Sequence, residues 1–90
     1  MSSAHVDPAE LRRFAMSLKA FHTQLQSQLH ALRGQASGLQ QTWRDREHDK
    51  FMEEFEETVQ VIGRFLEASE QHVPFLLRKA DRAEEYLRQR

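Results

Sequence analysis

Leucine recurs every seven residues through the first half of this 90-residue chain, at Leu11, Leu18, Leu25, Leu32 and Leu39. Two turns of helix bring every seventh side chain back to nearly the same side, so this period marks a helix packed lengthwise on another helix. Two more rows run beside it. Phe14 and Phe21 form one before meeting Gln28; Ala15, His22, Leu29, Ala36 and Trp43 form the other. A lone leucine row would be a narrow coiled-coil seam, whereas three rows make a wider stripe, so this helix is expected to face more than one neighbour.

The second half repeats the pattern. Met52, Val59, Leu66, Val73, Ala80 and Leu87 form one row, and Phe55, Ile62, Ser69, Leu76 and Ala83 another, with Phe51 and Phe65 widening the stripe. Only three glycines and two prolines punctuate the chain, too few for a fold of many short strands. Asp7, Pro8 and Glu10 read as a helix start: a capping side chain, a proline in the first turn and an acid three residues after the cap. Asp45 can cap a second helix, with Glu47 and Asp49 in a first turn that favours negative charge.

These signals predict an all-α chain: one domain over residues 1–90, folded as an antiparallel two-helix hairpin. Its parts are a helix over 8–41, a turn over 42–45 and a helix over 46–87 with a kink near Pro74, which removes a donor and crowds the carbonyl of Glu70. Gly34 and Gly38 each cost about 1 kcal/mol relative to alanine in a helix. Because Ala36, Leu39 and Trp43 carry the period past Gly34, the two glycines are read as a place where another helix backbone comes close.

Charge divides unevenly between the halves. Residues 1–44 carry five basic and two acidic side chains, and residues 45–90 carry eight and twelve, so the halves are oppositely charged. Exposed pairs contribute only ~0–1 kcal/mol each, so charge selects the alignment more than it holds the fold. The expected partners of Arg33 are Glu53, Glu54, Glu56 and Glu57; those of Arg12, Arg13 and Lys19 are Glu67 and Glu70. Because two helices side by side cover one stripe each, the wider stripes predict dimerisation into a four-helix bundle, with itself or with a related small helical protein. Phe14, Phe21, Leu25, Leu29, Phe55 and Phe65 are the candidate partner face.

Several functions are excluded by chemistry. There is no cysteine, and His5, His22, His30, His48 and His72 contain no pair at metal-ligand spacing, so neither metal nor cofactor is expected. His22, on the border of the apolar stripe, reads as a packed or hydrogen-bonded side chain. Ser2, Ser3, Ser17, Ser27, Ser37 and Ser69 lack any nucleophile-elbow or phosphate-loop context, so no enzyme is expected. A net charge of −1 and the lack of Lys or Arg in residues 1–10 argue against nucleic acid, including a basic zipper. No apolar run approaches the roughly 20 residues of a membrane span. Met-Ser-Ser-Ala-His has neither the basic start nor the apolar stretch of a cleavable signal peptide.

Trp43 near the middle of the chain, followed by Asp45 two residues later and Phe51 eight residues later, resembles the WXG family. These are the small helical-hairpin proteins handled by type VII (early secreted antigen) secretion systems. The resemblance spans the whole chain in length and architecture, though its motif is short. It implies a four-helix-bundle homodimer or heterodimer that is made in the cytoplasm and leaves the cell folded, without a cleavable signal. It also implies contact with secretion-system components. Two positions depart from the pattern. Asp45 replaces the glycine of Trp-x-Gly, trading left-handed backbone freedom for a cap. Tyr86 stands where export signals of this family begin, yet the residue four positions on is Arg90 instead of Asp or Glu. The expected function is therefore a non-enzymatic, dimeric secreted effector or carrier. An intracellular adaptor or structural coiled-coil protein without export remains the alternative. Trp43 reads as a ring covering the end of the core, a role compatible with contact to secretion machinery.

Overall fold

The computed structural model describes residues 6–89. Helix α1 runs from Pro8 to Gly38, a single 3₁₀ turn follows over Leu39–Gln41, and helix α2 runs from Arg46 to Arg88. Among the described residues there is no strand. The two helices lie antiparallel and give the molecule extents of 68 × 21 × 15 Å. Its radius of gyration, 20.2 Å, far exceeds the ~12 Å of a compact domain of this length.

Each helix starts where a side chain can satisfy its free amides. Asp7 accepts from the Ala9 N–H at 2.9 Å, with Pro8 in the first turn. Asp45 accepts from the His48 N–H at 3.0 Å and begins α2 from an extended backbone with φ −90°. No described residue has a positive φ, so the chain reverses without a left-handed residue. The reversal is made by tightening the end of α1. The N–H groups of Thr42 and Trp43 both donate to the Leu39 carbonyl, at 3.0 and 2.8 Å, and Arg44 Nε donates back to the Gln40 carbonyl at 2.9 Å. These bonds use carbonyls that the end of a helix would leave unpaired. Helix α2 continues unbroken through Pro74, with helix on both sides of it.

The leucine row is not the seam between the helices. The buried positions of α1 are Ala15, His22 and Ala36, from the row that also holds half-buried Leu29 and Trp43. Facing them in α2 are Val59, Leu66 and Ala80 from one row and His48 and Ser69 from the next. Small residues at Ala15, Ala36, Ser69 and Ala80 let the backbones approach. Leu11, Leu18 and Leu25 line the border of this seam half-buried, while Leu32 and Leu39 are exposed. No large side chain is fully buried.

Two expectations are corrected. Arg33 does meet Glu56, at 3.4 Å, but Arg12 pairs with Asp81 and Glu84, both at 2.9 Å, and not with Glu67 or Glu70. In an antiparallel hairpin paired residues lie equally far from the turn, and Arg12 is too far from it to reach Glu67. Lys19 does lie beside Glu70, along a groove shared with His22 and Val73. The hydrogen bonds to Asp81 and then Glu84 hold the Arg12 guanidinium still more firmly protonated than usual. The second correction concerns Gly34 and Gly38: a Cβ at either would meet no atom within 4 Å, so no helix backbone of this chain approaches them.

Candidate functional site

The turn assembles an aromatic cluster. The half-buried Trp43 ring stands nearly perpendicular to His48 at 5.1 Å between centroids and lies 5.9 Å from Phe51, and Phe51 stacks on Phe55 at 5.8 Å. Asp45 positions the cluster by starting α2, which places His48 and Phe51 one and two turns along under the indole. Trp43, Asp45 and Phe51, singled out from the sequence, are thus brought together. His48 was not singled out, yet it is the most enclosed member at 4% exposure. Its Nδ1 lies 3.4 Å from Asp49 Oδ1, and its Nε2 is buried with no hydrogen-bond partner. The signal was present in the sequence: His48 stands seven residues before Phe55 and so begins the row that continues to Ser69.

A second buried histidine crosses the middle of the seam. His22 Nε2 and Ser69 Oγ are 2.6 Å apart, each residue 4% exposed. Serine and histidine at this distance can form a nucleophile and base. Here both side chains are buried between the helices. The pair is a buried hydrogen bond fixing helix register, as the reading of His22 anticipated.

The largest unpaired feature is one long face of the hairpin. Phe14, Phe21 and Phe65 are each about half exposed, and Leu32, Leu39 and Phe51 are also exposed. Leu25 and Phe55 lie half-buried between them, while Leu29 sits in the seam row. Phe21 and Phe65 meet edge to face at 6.5 Å, bridging α1 to α2 and showing that the apolar flanks of both helices share this side. The ion pairs of Arg12 and Arg33 lie on the opposite side of the seam. The aromatic side chains thus gather on one flank of the seam and these ion pairs on the other. The chain exposes 7332 Å², against about 5500 Å² for a compact monomer of its mass.

Tyr86 is 68% exposed near the end of α2. Arg90 lies outside the described residues, as do His5, Ser2 and Ser3. Among the described residues no three His, Asp or Glu side chains group in a way that could hold a metal ion. No described helix is long and apolar enough to cross a membrane.

Against known proteins, the model of a family described as WXG100, "Proteins of 100 residues with WXG", matches residues 3–86. No curated protein matches the chain. Among solved structures it is similar to EsxB of Bacillus anthracis str. Sterne, described there as a secreted protein. A point mutant of EsxB superposes with a TM-score of 0.81 at 28% identity, covering 94% of this chain and 96% of that one. Wild-type EsxB gives a TM-score of 0.77 at 29% identity, covering 91% and 88%. A selenomethionine-labelled form gives 0.78 at 28% identity, covering 96% and 98%.

Proposed function

The chain belongs to the WXG100 family, and from that premise we propose that it is a non-enzymatic dimeric module, exported by a type VII secretion system as an effector or as a carrier for one. The observation that carries the reading is the continuous apolar face with Phe14, Phe21, Leu25, Phe55 and Phe65 along it. An exposed apolar surface of this extent on a soluble chain marks a protein contact. A second hairpin laid on it would complete a four-helix bundle, whether from an identical chain or a related small helical protein. The turn cluster of Trp43, Asp45 and Phe51 would stay at the end of such a bundle, available to secretion-system components. Export is supported by the family and by the secreted relative EsxB.

One observation favours a second reading: Arg90 stands where the family's export signal, begun here by Tyr86, would carry an acid. On that reading the chain is an intracellular adaptor of the same architecture, or it is exported only with a partner that supplies the signal. Co-expression with an intact type VII system separates them. Appearance of the chain in the culture medium, lost when the secretion ATPase is deleted, supports export. Retention in the cells under all partner combinations overturns it. Molar mass in solution tests the dimer independently, and a monomer at micromolar concentration would refute it.

A further inference from the structure

A different face of α2 points away from α1. Glu54, Val61, Ala68, Phe75 and Arg82 are spaced by seven and lie two positions after the buried row of Val59, Leu66 and Ala80, about 200° round the helix from the seam. All five are exposed, Val61 at 56% and Phe75 at 54%. This row stands outside the face that holds Phe14, Phe21 and Phe55, with Phe65 on the border between the two, so a hairpin docked on that face leaves the row itself open.

The row has an unusual internal order. Counting outward from Ala68, Val61 and Phe75 stand seven residues to either side, and Glu54 and Arg82 stand fourteen to either side. In the adjoining rows Glu57 and Lys79 stand eleven to either side. Between residues 61 and 82 the outward rows carry Arg64, Arg78, Lys79 and Arg82 without any acid, whereas toward the turn they carry Glu47, Glu54 and Glu57 against one cation, Lys50. Among the described residues none of Glu54, Glu57, Lys79 and Arg82 has an ion-pair partner within the chain.

We propose that this face is a self-complementary contact: α2 of a second copy packs on it antiparallel, with the two-fold axis at Ala68. An isologous contact requires every residue to meet its mirror position in the other copy. With the axis at Ala68, Glu54 meets Arg82, Glu57 meets Lys79 and Val61 meets Phe75, each twice. The methyl side chains of the two Ala68 residues face one another, which allows close approach of the backbones at the axis. Arg64 meets His72, a pair that is not charge-matched, so the selectivity comes from the outer pairs. A shift of the axis by one turn toward the bend sets Glu47 against Arg82 but also Lys50 against Lys79, so a like-charge pair opposes that register. Each copy in a four-helix bundle would present the face once, so bundles could join through it. The contact does not depend on the apolar-face dimer.

Sedimentation equilibrium of the whole chain tests it. The wild type should associate reversibly to twice the mass of its basic unit at low ionic strength, and dissociate as salt is raised. Glu54→Arg and Arg82→Glu should each weaken that step roughly tenfold by placing like charges together twice. Mixing the two single variants should restore it, because every outer pair is then again of opposite charge. The double variant Glu54→Arg/Arg82→Glu should restore it with itself. Helix content by circular dichroism should be unchanged throughout, since all these side chains are exposed. Phe21→Glu separates the two contacts: it should affect apolar-face pairing and leave the Ala68-centred step intact. A mixture that associates no more tightly than either single variant overturns the proposal. So does a wild type of constant mass across concentration, or binding to anionic vesicles without self-association, which would make the stripe a lipid-facing one.

Discussion

At the turn, Asp45 does with a side chain what the glycine of the family motif is able to do with its backbone. Its Oδ1 bonds the His48 N–H and its φ is −90°, in a region any residue adopts. Asp45→Ala should therefore cost about 1 kcal/mol of stability, and Asp45→Gly only a few tenths, when urea unfolding of the variants is compared. A larger loss for glycine than for alanine would mean the cap matters less than the conformation. His22 and Ser69 present a different residue-scale problem, a buried polar pair whose members are each other's hydrogen-bond partner. Ser69→Ala should destabilise by about 1–3 kcal/mol by leaving the imidazole nitrogen unsatisfied. Adding His22→Leu should recover part of that loss, which a double-mutant cycle reads directly.

Among the elements, α2 is the one that carries a cost in its interior. Pro74 has no N–H for the Glu70 carbonyl, yet the helix passes through it. Pro74→Ala should raise stability by about 1–3 kcal/mol, since the lost hydrogen bond and ring clash outweigh the entropy that proline removes from the unfolded chain. An unchanged or lowered thermal midpoint would show that the surrounding turn already compensates for the missing donor. Both helix starts were legible in the sequence because caps are local: Asp7 and Asp45 each act within three residues. The pairing between helices was less so. Leucine drew attention as the most apolar row, whereas the seam is built on Ala15, His22, Ala36 and Ser69, whose small or polar side chains look unlike a core. They are core because two backbones that lie close have room for little else. Arg12 was misplaced for a related reason, since its register depends on where the turn falls. His48 was considered only as a metal ligand, although its seven-residue relation to Phe55 placed it on the seam.

For the whole molecule the governing fact is shape. A rod of 68 × 21 × 15 Å cannot enclose its own aromatics, and the hairpin gathers most of what is left over on one side. If pairing covers that side, stability becomes a function of concentration, and the thermal midpoint should rise as the chain is concentrated. Phe21→Glu should abolish that dependence and weaken pairing by at least about tenfold, because Phe21 and its neighbour Phe65 lie at the centre of the exposed patch. A midpoint that stays constant with concentration in the wild type would instead describe a hairpin that is stable alone.

The negative φ at Asp45 also bears on how relatives of this chain are to be recognised. What the bend asks of the sequence is an acceptor placed ahead of a helix, a demand that asparagine, serine or threonine could meet as well as aspartate. A search keyed to tryptophan followed by glycine therefore samples only one chemical solution to the reversal. Hairpins of this kind are better sought as a tryptophan, any helix-capping residue two positions on, and an aromatic at the eighth, flanked by seven-residue periods on both sides.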